Sequence, residues 1–202
     1  MNSTSTFEQA ISAHLSVIHS LTTQLPLIER IAKEITDSVL AGNKILWCGN
    51  GGSAADSQHL AAEFVGRFRR ERRGLPSIAL TTDTSILTAV GNDYGFEKIF
   101  ARQVEALCMP NDVVVGISTS GNSKNVCLAL EKARELGART IAFTGSGGGE
   151  IARLADLTLG IASNEAARVQ EAHILCGHMI CDWMEAKVSE EVDRRLATEE
   201  GR

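Results

Sequence analysis

No apolar run in this sequence approaches the roughly 18 residues needed to cross a bilayer. The first residues, Met1-Asn-Ser-Thr-Ser-Thr-Phe-Glu8, carry neither the basic nor the apolar stretch of a secretion signal. Paired cysteines are missing too. The five cysteines, Cys48, Cys108, Cys127, Cys176 and Cys181, are odd in number, scattered and without a Cys-x-x-Cys pair. Most lie in apolar runs, which fits reduced core thiols in a cytoplasm. There is no excess of positive charge, since the net charge is -5 and the pI about 5.6. General nucleic-acid binding and a membrane partner are therefore not expected. A soluble, cytoplasmic protein is.

What the chain does have is enough apolar content for one core: 202 residues at 44% hydrophobic. It is organised around Lys44 to Glu63. The apolar run Ile45-Leu46-Trp47-Cys48 gives way to Gly49-Asn50-Gly51-Gly52-Ser53, and an Ala-rich segment of helical composition follows. That order reads strand, tight loop, helix. Glycines clear side chains away from the backbone, and the free N–H groups of a helix start attract an anion or a sugar hydroxyl. On the same helix His59 and Glu63 are four residues apart and project from one face, as an acid/base pair, a metal pair or a surface pair.

Residues 7 to 41 carry apolar positions at helical spacing, interrupted by Pro26, so two helices with a break near 23–27 are expected. Such an amphipathic arm has a stripe to bury, and a sister subunit is one use for it. Arg67-Phe-Arg-Arg-Glu-Arg-Arg73 places five arginines in seven positions. It reads as a solvated loop or an anion-attracting rim. Further strands are expected at 77–81, 112–118, 137–143 and 157–161, and helices at 85–90, 97–107, 125–136 and 165–196. Gly91 to Gly95 reads as a turn. The run Val113 to Ile117 lacks polar side chains, as a central parallel strand covered on both faces would. It ends in Ser118-Thr119-Ser120-Gly121-Asn122-Ser123, where four hydroxyls gather at a helix start. An ordinary N-cap needs one hydroxyl, so a phosphate cradle is the reading. Five strands alternating with helices predict an α/β fold with a doubly wound, flavodoxin-like parallel sheet and ligands at the carboxyl ends of its strands.

Cys48-Gly-Asn-Gly-Gly-Ser53, Ser118-Thr-Ser-Gly-Asn-Ser123 and Arg168-Val-Gln-Glu171 together resemble the sugar isomerase (SIS) domain family, and within it the phosphoheptose isomerases. The resemblance covers nearly the whole chain as one domain, with residues 1–42 as an oligomerisation arm and 43–202 as the core. It implies an aldose-ketose isomerase converting sedoheptulose 7-phosphate to D-glycero-D-manno-heptose 7-phosphate, an early step toward bacterial surface heptose. It further implies a homotetramer with sites built from more than one subunit and one zinc ion per subunit, held by His59, Glu63, Gln170 and His178. Ser118, Thr119, Ser120 and Ser123 match the phosphate loop. Asn50, Gly51, Gly52, Ser53, Asn92 and Asp93 match sugar contacts, as do Glu63 and Gln170. Proton transfer through an enediol needs a base and an acid, assigned to Glu63 and His178.

One group of these isomerases has an Asp where this chain has Ala167. Ala54-Ala55 and the Arg-Val-Gln variant fit a second group, close to non-catalytic SIS tetramers that bind the bacterial replication initiator. Those binding proteins lack the base and acid at positions 63 and 178, which this chain keeps. An isomerase or sensor for another sugar phosphate would share the same cradle.

Overall fold

The computed structural model describes residues 3–200, with side chains described from 4 to 191. Helices α1 (Ser3–Ser20) and α2 (Leu25–Leu40) precede β1 (Ile45–Gly49), α3 (Gly52–Val65), β2 (Ser77–Ala79), α4 (Thr84–Tyr94) and α5 (Ile99–Leu107). Then come β3 (Val113–Ser118), α6 (Lys124–Glu135), β4 (Arg139–Thr144), α7 (Ile151–Leu154), β5 (Leu157–Gly160) and α8 (Ala166–Glu200). All strand pairs are parallel, in the order β2-β1-β3-β4-β5. This is the expected α/β architecture with its helical arm.

Period-two alternation divides the core. Ile45, Trp47, Val113, Val115, Ile117, Ile141 and Phe143 face one side, where they meet apolar residues of α1, α2, α3 and α8. Leu46, Cys48, Val114 and Ala142 face the other, against α5 and α6. Every residue of β1 and of β3 is buried, because both layers of helices cover them. The five cysteines are free and buried, and burial pushes the thiols of Cys48, Cys176 and Cys181 up to about 12. None of the described helices is long and apolar enough to cross a membrane.

Three local expectations shift. The break in the arm is a 3₁₀ turn at Leu21–Gln24, earlier than expected, since Pro26 is tolerated in the first turn of α2. The segment Gly91 to Asp93 is not a turn: α4 runs on to Tyr94, and only Gly95, at φ +90°, breaks it. The short helix α7 falls between the strands expected at 137–143 and 157–161, where no element is expected.

Candidate functional site

The order β2-β1-β3 reverses direction between β1 and β3, and this switch point is where open parallel sheets bind ligands. Both loops singled out from the sequence leave the sheet there. After β1 the chain turns at Gly51, at φ +55°, and enters α3 at Gly52. After β3 it turns at Gly121, at φ +71°, and enters α6. Asn50 and Asn125 join the two loops by a reciprocal amide pair, each Nδ2 donating to the other Oδ1 at 2.8 Å.

The serine loop does not act as a side-chain cap. Ser123 holds the N-cap position of α6, yet its hydroxyl makes no bond to the helix amides. It lies 2.9 Å from the Ser118 hydroxyl, which is 3.4 Å from that of Ser120. Three hydroxyls thus gather beside the first free N–H groups of a twelve-residue helix, an arrangement suited to a phosphate. Thr119 is half-buried in the same loop. Its carbonyl accepts from Gly145 N–H at 3.1 Å, which ties the loop to the end of β4.

A second cluster forms where α3 and α8 lie side by side. A Cβ at Gly177 would fall 2.5 Å from the buried Leu60 side chain, so glycine here lets Leu60 pack directly against the backbone of α8. Their neighbours His59 and His178 then meet, Nε2 to Nε2 at 2.9 Å, and Glu63 Oε1 lies 3.3 Å from His59 Nε2. The three ligand atoms lie within 4.8 Å of one another and could hold a metal ion. Two imidazole nitrogens at this spacing cannot both keep free lone pairs without repulsion, and a divalent cation would satisfy both. Burial, with His59 and Arg69 nearby, lowers the pKa of His178 despite the opposing Glu63 carboxylate.

One turn before His59, Asp56 has its carboxyl pushed up to about 6 by burial, with His59 opposing. Its Oδ2 has no hydrogen-bond partner among the described residues.

Gln170 precedes His178 by eight residues, two turns along the same face of α8 and about 12 Å of helix rise, and its amide rests on Gly52, where a Cβ would fall 1.9 Å from Nε2. Of the expected four-ligand set, His59, Glu63 and His178 come together. The flanking motif residues serve the arm. Glu171 accepts from or pairs with His14 Nδ1 at 2.7 Å and binds Arg168, which donates to the Ala10 carbonyl at 2.8 Å. Asn92 and Asp93 sit exposed in the last turn of α4 and bond to each other at 2.8 Å. Among the described residues no hydrogen bond or ion pair joins them to the serine loop.

The arginine run is neither free nor solvated throughout. Arg69 and Arg70 pair with Asp182 at 3.2 and 2.7 Å, while Arg72 and Glu185 form a buried pair at 3.1 Å. Phe68 stacks on His178 with ring centroids 5.3 Å apart. Sequence reasoning passed over Phe68, Asp182, Glu185 and Asn125. A signal existed for Glu185, which lies seven residues after His178 and so two turns along the same helix face. A cavity of about 770 Å³ lies at the opposite end of the sheet, lined by Glu34, Asp37, Arg134, Arg139 and Asp156 among others. It holds no histidine or cysteine and mixes charges of both signs.

A family model for the SIS domain matches residues 6–145. A phosphoheptose isomerase from Aquifex aeolicus is 59% identical over 174 residues, 83% of this chain and 91% of the relative. The structure of phosphoheptose isomerase GmhA from Neisseria gonorrhoeae superposes with a TM-score of 0.81 at 44% identity, covering 91% of this chain and 96% of that one. A phosphoheptose isomerase from Francisella tularensis gives 0.82 at 40% identity, covering 90% and 95%.

Proposed function

The chain belongs to the SIS domain family and, within it, to the phosphoheptose isomerases, and from that premise we propose that it interconverts sedoheptulose 7-phosphate and D-glycero-D-manno-heptose 7-phosphate. The observation that carries the proposal is the meeting of His178 with His59 and Glu63, which lie more than a hundred positions earlier in the chain. A module that only bound a protein partner would need no such meeting of carboxylate and imidazoles.

In this reading the sugar phosphate anchors on Ser118, Thr119, Ser120 and Ser123 at the start of α6, where N–H groups and hydroxyls donate to it. Its hydroxyls run past Asn50, Gly51, Gly52 and Ser53, with the Gln170 amide over Gly52. Glu63 removes a proton from C1 of the open-chain ketose, and His178 supplies one to the C2 carbonyl oxygen, giving the enediol. The aldose forms when the O1 proton is withdrawn and C2 is protonated. With its pKa lowered, His178 meets the sugar as a neutral imidazole, able to donate and accept.

His59, Glu63 and His178 would hold zinc, since two imidazoles and a carboxylate with a remaining open position form a common catalytic set. When bound, the ion polarises the sugar oxygens and pins the open chain. We assign Gln170, whose amide lies over Gly52, to the sugar and as the candidate fourth donor. We place the enzyme in the cytoplasm as a homotetramer. Support for assembly comes from Phe7, Ile11 and Leu15, a stripe along α1 that is 68%, 60% and 61% exposed. Helix α4 likewise buries none of its residues, and we assign Asn92 and Asp93 on it to a neighbouring subunit's site.

The test is Glu63→Gln and His178→Gln. Each is expected to lose about a thousandfold in turnover of sedoheptulose 7-phosphate, with the assembly intact by light scattering. Treatment with a chelator should abolish turnover and added zinc should restore it. Full activity in either variant refutes the assignment, and ketose phosphates of other chain length, turned over equally well, would refute the heptose.

A further inference from the structure

Glu185 is a buried carboxylate that the proposed chemistry does not touch. Its side chain is 0% exposed. Oε1 accepts from Phe68 N–H at 2.7 Å, and Oε2 accepts from Arg69 and Arg70 N–H at 2.8 and 2.9 Å. Three successive amides converging on one carboxylate form an anion nest within the chain itself. The guanidinium of Arg72, 4% exposed, closes it at 3.1 Å. Burying a charge is costly unless every oxygen is so bonded, and here it is.

The nest holds two things, both parts of the site. Arg72 donates to the carbonyls of Glu63, Phe64 and Gly66 at 2.7, 2.9 and 3.1 Å. These are terminal carbonyls of α3, which lack partners within the helix, so Arg72 fixes the turn that carries Glu63. The same segment, the strap of residues 67–73, lays the Phe68 ring on the His178 imidazole, with 25° between the planes, and the Arg69 guanidinium stands 5.1 Å from the centroid of the Phe68 ring. One buried carboxylate thus restrains the base from the side of α3 and the acid from the side of the strap. Asp182, one turn before Glu185 on α8, adds the pairs with Arg69 and Arg70 at the surface.

We propose that Glu185 is a positioning residue for the His59, Glu63 and His178 centre, acting through Arg72 on the end of α3 and through Phe68 on the ring of His178. The proposal rests on the isomerase reading above. Proton transfer falls off steeply when reacting groups shift by an ångström, and groups that orient metal ligands govern affinity for the ion.

The experiment uses the full chain with Phe68→Ala, Phe68→Tyr, Glu185→Gln and the double variant Phe68→Ala/Glu185→Gln. Two readouts are taken: kcat and KM for sedoheptulose 7-phosphate, and the Zn²⁺ affinity of the metal-free protein by competition with a chromophoric chelator. Phe68→Ala is expected to lower kcat and Zn²⁺ affinity by about tenfold each, with KM unchanged because the serine cradle is untouched. Phe68→Tyr restores both. Glu185→Gln moves the same two quantities, and the double variant is no worse than Glu185→Gln alone, since Phe68 is one of the two routes through which Glu185 acts.

Wild-type kcat and Zn²⁺ affinity in folded Phe68→Ala overturn the proposal, as do losses that multiply in the double variant. Phe68 is a half-buried loop residue, so its variants keep the test open even where Glu185→Gln fails to fold. If the wild-type chain turns over no sedoheptulose 7-phosphate while the Zn²⁺ arm behaves as stated, the isomerase reading falls and the brace stands.

Discussion

Replacing Ser123 by Asp separates the two roles that a serine at a helix start can have. As an N-cap, Asp equals Ser, so a capping serine would tolerate the change. The proposed role of Ser123 is to bind phosphate, and in support its hydroxyl makes no cap bond and lies 2.9 Å from the Ser118 hydroxyl. A carboxylate there would stand about 4 Å from a bound phosphate, where like charges repel by about 4 kcal/mol at an effective dielectric of about 20. At about 1.4 kcal/mol per tenfold, that is roughly a thousandfold in KM. Ser123→Ala removes only one charge-assisted bond, about 1.5–3 kcal/mol, or roughly 10- to 150-fold. Both follow from steady-state kinetics with sedoheptulose 7-phosphate, with calorimetry alongside. The melting temperature of Ser123→Asp should hold within about 4 °C, the effect of about 1 kcal/mol in a chain of this size. An unchanged KM for Ser123→Asp would refute the cradle.

Gly121→Ala should destabilise the fold by about 2–5 kcal/mol, since it combines a left-handed backbone with overpacking. Its φ is +71°, and a Cβ would lie 2.2 Å from the Gly148 carbonyl. Calorimetry reads this directly, and a loss under about 1 kcal/mol would mean the two loops are not held together. Acid unfolding tests the Glu185 nest. Burial alone would raise this carboxyl, but the Arg69, Phe68 and Arg70 amides and Arg72 outweigh it and hold it below its ordinary 4.5. A depressed carboxylate contributes stability that is present above the unfolded pKa and is lost as pH falls through the folded one. Wild-type stability should therefore drop below about pH 4.5, and the profile of Glu185→Gln should be flatter in that window. Superimposable slopes would refute it. Gly52→Ala should displace the Gln170 amide, whose Nε2 a Cβ would meet at 1.9 Å. Stability changes little because the end of a flexible side chain can swing away, while KM for the sugar rises; an unchanged KM would remove Gln170 from the sugar site.

The sequence by itself determined the fold class and the place of both loops. Unbroken apolar runs at 45–48 and 113–117 can only be strands covered on both faces, and glycine or serine clusters directly after them must lie at the carboxyl ends of a parallel sheet. These are local patterns, and period and composition carry them. The turn read at Gly91 to Gly95 failed for the same reason. Gly91 and Asn92 are weak helix formers, yet α4 packs through them until a positive φ at Gly95 makes continuation impossible.

Only the tertiary structure decided what meets what. The expected set of His59, Glu63, Gln170 and His178 rests on a resemblance, and only the packing of α3 against α8 brings His178 to His59, with the Gln170 amide over Gly52. Likewise a run of five arginines reads as exposed charge until Asp182 and Glu185, more than a hundred residues later, are found beneath it. A sequence records which side chains a helix presents on each face. It does not record which other helix that face will touch, because that depends on how close two backbones can come.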